Sequence, residues 1–219
     1  MALEFTILSK NNMYSQNFED EIIAEYFGNF IGTLVDVGAN DGKTLSNSLM
    51  LIDRGWKAHL FEPNKQSFDK LEKLHRNNGD VLCWNIGLAD FDGEKEFYES
   101  GSLLSPNDHS LVSTLHLDEK NRWGNSVNFT TTKIKCKKWS TWCKIALVIN
   151  STKFDYISID AEGEDWSILQ QIDLTRFETK VVCVEWNSVP RNAELFTDYC
   201  NMYGLKEIHR NAENLIFAK

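Results

Sequence analysis

The chain has 219 residues, 42% of them hydrophobic and 25% charged, enough to bury one sizeable core. Its 32 acidic against 23 basic residues leave a net charge of −9, spread over the whole length, which argues against DNA or RNA partners because phosphates are repelled at long range. With three prolines, no low-complexity tract, no basic-then-apolar leader and no run able to span a bilayer, the expectation is a single cytoplasmic domain over 1–219 without membrane insertion.

In chain order, residues 1–30 read as a helical lead-in. Within it, 16–27 place Phe18, Ile22, Ile23, Tyr26 and Phe27 at helical spacing among acids, the pattern of an amphipathic helix laid on a sheet. Strands are predicted at about 33–38, 57–62 and 81–86, with helices near 44–54 and 64–77 between them, so the first half reads as parallel βαβ units. A short strand at 94–99 precedes 100–128, a polar stretch rich in Ser, Asn, Asp and His without a clear period. So long a loop inside a compact domain is usually functional, and it is read as a lid or acceptor-recognition insert, with a surface excursion as the alternative. Lys133-Ile134-Lys135-Cys136-Lys137-Lys138 alternates like an edge strand with a solvated face, and an anion patch is the second reading. Then come a helix at 139–148, a strand at 154–159, a helix at 164–171, a strand at 181–185, a helix at 193–203, and a hairpin of 205–209 with 214–218. The five scattered cysteines, Cys83, Cys136, Cys143, Cys183 and Cys200, lack metal-site or disulfide spacing and read as reduced and mostly buried.

Two segments carry chemistry. The first is Leu34-Val35-Asp36-Val37-Gly38-Ala39-Asn40-Asp41-Gly42, followed about twenty residues on by Phe61-Glu62-Pro63. A buried strand, a Gly turn and an acid closing the next strand are the parts of a nucleoside site. A dinucleotide fingerprint needs a third glycine, and Gly42-Lys43-Thr44 follows Gly38 one residue too soon for a Walker loop. S-adenosylmethionine suits the pattern better, because it brings no phosphate, an amino-acid group that wants backbone donors and a nearby carboxylate, and a ribose diol. Asp36 and the loop would serve the methionine end and Glu62 the ribose.

The second is Asp160-Ala161-Glu162-Gly163-Glu164 at the end of an apolar strand, with Glu185-Trp186-Asn187 at the end of the next. Ligands of open α/β sheets bind beyond the carboxyl ends of the strands, so these acids face the crevice. Asp160 and Glu162 are two apart, which in extended chain puts them on one side, whereas Glu164 and Asp165 read as caps of the following helix. Two uses fit and the sequence leaves both open. Either Asp160 or Glu162 is a general base toward an acceptor hydroxyl, or Asp160, Glu185 and Asn187 hold magnesium or another divalent cation that lowers the hydroxyl's pKa.

With Tyr14-Ser15-Gln16-Asn17-Phe18-Glu19-Asp20 added to these motifs and to Phe61-Glu62-Pro63-Asn64, the chain resembles the FkbM-type methyltransferases. The resemblance implies an α/β class I, Rossmann-like fold: a mostly parallel seven-stranded sheet with a C-terminal antiparallel hairpin and helices on both faces. It implies S-adenosylmethionine-dependent O-methylation, often of a sugar hydroxyl in a glycan, polysaccharide or glycosylated metabolite. It would assign Asp36, Gly38, Asn40 and Glu62 to the cofactor, Asn85 and Gly87 to its adenine side, Ser15 and Gln16 to its methionine end, and Asp160 and Glu162 to the reacting centre; the motifs themselves add Asp41 of the Gly loop to the cofactor side and Glu185 of the next strand end to the catalytic acids. Many members have Val where this chain has Ala161.

Sugar rings stack on indole, and Trp123 in the polar insert is the first choice for acceptor contact, Trp186 the second. His109 and His116, also in the insert, read as solvated rather than as bases. Two other classes stay open: a Rossmann-type NAD-dependent oxidoreductase, disfavoured by the missing glycine, and a non-catalytic nucleoside-binding module. The acceptor and the oligomeric state are not legible.

Overall fold

The computed structural model describes residues 14–103, 110–146 and 152–219. Strand β1 (Thr33–Val37) continues into parallel units with β2 (Lys57–Phe61) and β3 (Val81–Trp84), separated by helices α2 (Leu49–Asp53) and α3 (Lys65–His75). The chain then crosses to the other side of β1, where β7 (Tyr156–Ile159) pairs in parallel and is followed by β8 (Val181–Glu185). The hairpin β9 (Lys206–Arg210) and β10 (Asn214–Ala218) closes the sheet, β10 running antiparallel to β8. Among the described residues the order is therefore β3-β2-β1-β7-β8-β10-β9, and it reverses between β1 and β7. That reversal opens a crevice at the carboxyl ends of β1 and β7, where open α/β sheets bind ligands.

Period-two alternation sorts the central strands between two cores. Val35 and Val37 of β1, Ile157 and Ile159 of β7, Val182 and Val184 of β8 and Phe217 of β10 enter one layer. There they meet Trp139, Trp142 and Cys143 of α5 (Trp139–Ile145), Ile168 of α6 (Asp165–Leu169), and Phe196 and Cys200 of α7 (Pro190–Met202). The intervening Leu34, Tyr156, Val181, Cys183 and Ile216 enter the other layer, against Ile23 and Phe27 of α1 (Glu19–Phe27), Leu51 of α2 and Leu71 of α3. Strands covered on both faces read as continuous apolar runs, and that is why they were legible. All five cysteines are free and four of them are buried.

Several expectations need correction. The helix expected over 44–54 exists only as α2: Leu45 is left-handed at φ 57°, and the polar run before it bonds locally, Asp41 accepting from Lys43 N and Thr44 N and Ser46 Oγ from Leu49 N. Side chains that offer the backbone such alternatives compete with a helix. α1 starts at Glu19, three residues later than predicted, with Phe18 left-handed and 55% exposed rather than facing the core. α7 starts three residues early because Pro190 fits its first turn. The lysine-rich segment is not an edge strand. It belongs to β6 (Phe129–Lys137), the middle of a second, three-stranded sheet between β4 (Gly87–Leu88) and β5 (Gly93–Ser100), although Lys133 and Lys135 do face solvent while Ile134 and Cys136 are buried. The insert, too, has structure. It holds α4 (Leu117–Trp123), a bridge from Thr114 to Tyr98, and buried Val112 and Leu115. Residues 104–109, with His109, and 147–148 at the end of the predicted 139–148 helix lie outside the described residues.

Candidate active site at the switch point

The site begins with two backbone approaches. Gly38 follows β1 at φ 87°, and a Cβ there would lie 1.8 Å from the carbonyl oxygen of Asp160, so only glycine lets the ends of β1 and β7 come this close. Its N–H and that of Ala39 donate to Phe61 O at 3.0 and 2.9 Å, while Asp160 N donates to Val37 O at 2.9 Å. The ends of β1, β2 and β7 are thus bound into one frame around the crevice.

Glu62, just after β2, braces this frame. Its two carboxylate oxygens accept from Asn40 N at 2.9 Å and Asn64 N at 2.7 Å, and Asn40 takes the left-handed conformation at φ 48° that the first bond requires. Burial pushes Glu62 up to about 8, against the two N–H donors and with help from the nearby charges of Asp36 and Asp160. Asp36 is pushed by burial to about 6, with Ser48 and Ser158 bonding to its carboxylate and holding it lower than burial alone would.

Beyond β7 the chain turns through Glu162 (φ 47°) and Gly163 (φ 106°), and Asp165 fixes the turn by accepting from Ala161 N at 2.9 Å and Gly163 N at 3.0 Å. The predicted common side of Asp160 and Glu162 is reached, but through this left-handed turn rather than extended chain. Carboxylate oxygens of Asp160, Glu162 and Glu185 lie within 4.8 Å of one another. Burial pushes Asp160 to about 7, assisted by Asp165 and Asp36. Burial and then the Asp160 charge raise Glu162 and Glu185 as well. Three carboxylates this close, with Glu185 buried and Asp160 and Glu162 half-buried, do not all ionise without a compensating positive charge.

These groups line one cavity of about 450 Å³, within the range of small-ligand sites. Of the expected residues, Gln16, Asp36, Gly38, Asn40, Glu62, Gly87, Asp160, Glu162, Glu185 and Asn187 form its wall. Ser15, Asp41 and Asn85 stand behind it and hold local structure: Ser15 Oγ bonds Asp20 at 2.6 Å, Asp41 caps the Lys43–Thr44 turn, and Asn85 Nδ2 donates to Glu62 O at 2.9 Å. Trp123 lines the cavity, whereas Trp186 leaves it and donates its indole N–H to Asn211 O at 2.9 Å. Arg122 is the one basic residue among the described lining residues. Sequence reasoning passed over it, as it did Glu213 and Asn214. The last two enter because β10 runs beside β8 with Asn214 opposite Glu185.

The insert is fastened across the carboxyl edge. Thr114 Oγ1 donates to Glu162 O at 2.7 Å, and His116, at the start of α4, places Nε2 3.0 Å from Glu164 Oε1, with Lys95 Nζ at 3.6 Å from the same oxygen. His116 is therefore neither free nor solvated as expected, and Glu164 is more than a helix cap. The Glu164 carboxylate raises His116 above its usual value, opposed by burial and Lys95 and aided by Glu119. A raised histidine pKa means that this latch is at full strength below the ordinary value near 6.5 and is lost as pH rises through the shifted one. Hydrogen-exchange protection of α4 should accordingly fall as pH rises above about 6.5, by several-fold for a half-exposed pair worth roughly 0.5–1 kcal/mol. His116→Gln should show the weaker protection at every pH; a flat wild-type profile would dissociate His116 from the latch.

The methyltransferase FkbM domain matches residues 36–207, from the strand that carries Asp36 to the hairpin. No curated protein matches. Among solved structures, a methyltransferase FkbM from Methylobacillus flagellatus KT is similar at 11% identity and a TM-score of 0.49, over 87% of this chain, which spans 44% of that one. A ribosomal protein L11 methylase from Lactobacillus delbrueckii subsp. bulgaricus is similar at 12% identity and 0.48, over 91% of this chain and 75% of its own. A precorrin-6y C5,15-methyltransferase from Geobacter metallireducens GS-15 gives 9% and 0.48, over 96% and 93%. The fold assignment rests on the strand order rather than on these distant likenesses. Among the described residues no helix is long and apolar enough to cross a membrane.

Proposed function

This chain belongs to the FkbM methyltransferase family, and from that premise we propose that it moves the methyl group of S-adenosylmethionine onto a hydroxyl of a sugar, in a glycan, polysaccharide or glycosylated metabolite. The observation that carries the proposal is the sharing of one cavity by the Gly38–Glu62 frame and the Asp160, Glu162 and Glu185 carboxylates. In this reading the frame takes the cofactor: Asp36 faces its ammonium group, Glu62 its ribose, and Gly87 with Ile86 and Leu88 its adenine. The sulfonium charge then falls among buried acids that lack one.

S-adenosylmethionine held there would supply an electrophilic methyl carbon: the acceptor oxygen would bond to it as the C–S electron pair returns to sulfur, and a carboxylate of the cluster would take the hydroxyl proton. Trp123 offers an indole face for a sugar ring, and Thr114 of the insert, bonded to Glu162 O, holds that part of the chain against the carboxylate cluster.

Incubation of the full chain with isotopically methyl-labelled S-adenosylmethionine and a panel of free and glycosidic sugars tests this. Label should appear in alkali-stable O-methyl groups. Trp123→Ala should raise the acceptor KM about tenfold, the scale of one aromatic contact, with cofactor affinity unchanged. Label transferred only to amines or carboxylates would refute the acceptor class.

A further inference from the structure

We propose that Asp160, Glu162 and Glu185 form a binding site for one hard divalent cation. Two independent observations carry this. The first is geometric: each side chain contributes a carboxylate oxygen to a group no wider than 4.8 Å, which suits oxygens that share one ion at bond lengths of about 2.0–2.6 Å. The second is an orphan. Glu185 is only 7% exposed, and its Oε2 is enclosed without a hydrogen-bond partner among the described residues. A buried carboxylate oxygen left unpaired is costly, and the side chain nearest to Glu185 in this group is another acid, Asp160, within hydrogen-bond reach, so a cation satisfies what no protein donor among the described residues does.

The surroundings supply only part of the missing charge: Arg122 is near enough to favour the charged forms of Glu162 and Glu185, against larger opposing effects of burial and neighbouring acids. Asp165 spends its oxygens on Ala161 N and Gly163 N, and Arg122, the one basic lining residue among those described, is paired with Glu119 through its Nε at 2.7 Å. An all-oxygen, all-anionic donor set favours magnesium, calcium or manganese over zinc or copper, which prefer nitrogen and sulfur. The donors differ from those the sequence suggested: Glu162 joins Asp160 and Glu185, while Asn187 lines the cavity beside them. Binding of the ion stands by itself; its use rests on the methyl-transfer reading. There, Asp160, Glu162 and Glu185 would hold the ion, and the ion would supply Lewis acidity that lowers the pKa of an acceptor hydroxyl beside it.

Manganese titration of the full chain, followed by electron paramagnetic resonance of free Mn²⁺, reads the site without turnover. The wild type should bind about one Mn²⁺ per chain, displaced by Mg²⁺ or Ca²⁺. Glu185→Gln and Asp160→Asn should each weaken it about tenfold or more, while exposed Glu94→Gln should not change it. Circular dichroism verifies that the variants fold, and with two near-isosteric variants one failure to fold leaves the other to decide. No binding by the wild type at millimolar Mn²⁺, or unchanged binding by folded Glu185→Gln, overturns the proposal. Titration with S-adenosylhomocysteine in parallel separates the two readings: nucleoside binding without Mn²⁺ binding overturns the cation site alone, whereas Mn²⁺ binding without nucleoside binding upholds the site and overturns methyl transfer.

Discussion

Asp160→Asn is expected to lower kcat by about 10²- to 10⁴-fold while leaving affinity for S-adenosylhomocysteine within about threefold of wild type. The expected size follows from where Asp160 lies. It follows the end of β7 at the switch point and shares a space of 4.8 Å with Glu162 and Glu185, so its carboxylate is placed either to take the acceptor proton itself or to hold the ion that acidifies the acceptor. The substitution keeps size and shape, and Asp160 N still donates to Val37 O, so the frame that receives the cofactor stays intact. Single-turnover methyl transfer with labelled cofactor checks it. Wild-type kcat would remove Asp160 from the reacting centre, and parallel loss of nucleoside affinity would make it a cofactor residue instead.

Gly38→Ala is expected to do the converse, costing about 2–4 kcal/mol of folding stability and at least tenfold in nucleoside affinity. The added methyl would stand 1.8 Å from the Asp160 carbonyl oxygen, a backbone atom that cannot rotate away, and at φ 87° alanine is strained even without the clash. Relief requires β1 and β7 to separate at their carboxyl ends, which pulls apart the cofactor frame and the carboxylate cluster together. Gly79→Ala, where a Cβ meets open space, should stay within about 0.5 kcal/mol and serves as the comparison. Thermal unfolding of both variants with and without S-adenosylhomocysteine measures the difference; equal melting of the two would mean that the close approach at Gly38 does not constrain the fold.

The central strands were legible because both faces of each are covered, so Leu34–Val37, Tyr156–Ile159 and Val181–Glu185 are apolar almost without interruption. Their carboxyl-end acids were legible for the same reason: Asp160 and Glu185 stand out only against such runs. What escaped depends on long-range pairing or on side chains bonding their own backbone. Nothing in Gly87-Leu88 announces a two-residue strand; it exists because Cys136 and Lys137 lie beside it. The Thr44–Ser48 stretch has helix-compatible spacing, but Asp41 and Ser46 capture its N–H groups. The insert's fastening was hidden in polarity: His116 read as solvated, and nothing marked Thr114, until the fold brings Glu164 and Glu162, about fifty residues away, against them. Ser15, Asp41 and Asn85 show the limit of position alone, since each stands next to a cavity residue yet bonds behind the wall.

That the Gly38–Glu62 frame receives S-adenosylmethionine is decided by calorimetric titration of the full chain with S-adenosylhomocysteine, beside a titration with NAD. Expected are micromolar binding of the former at about one per chain, no binding of NAD, and at least tenfold weaker nucleoside binding in Glu62→Gln, which leaves one buried N–H without its acceptor. Absence of S-adenosylhomocysteine binding, or tight binding of NAD in its place, would contradict it.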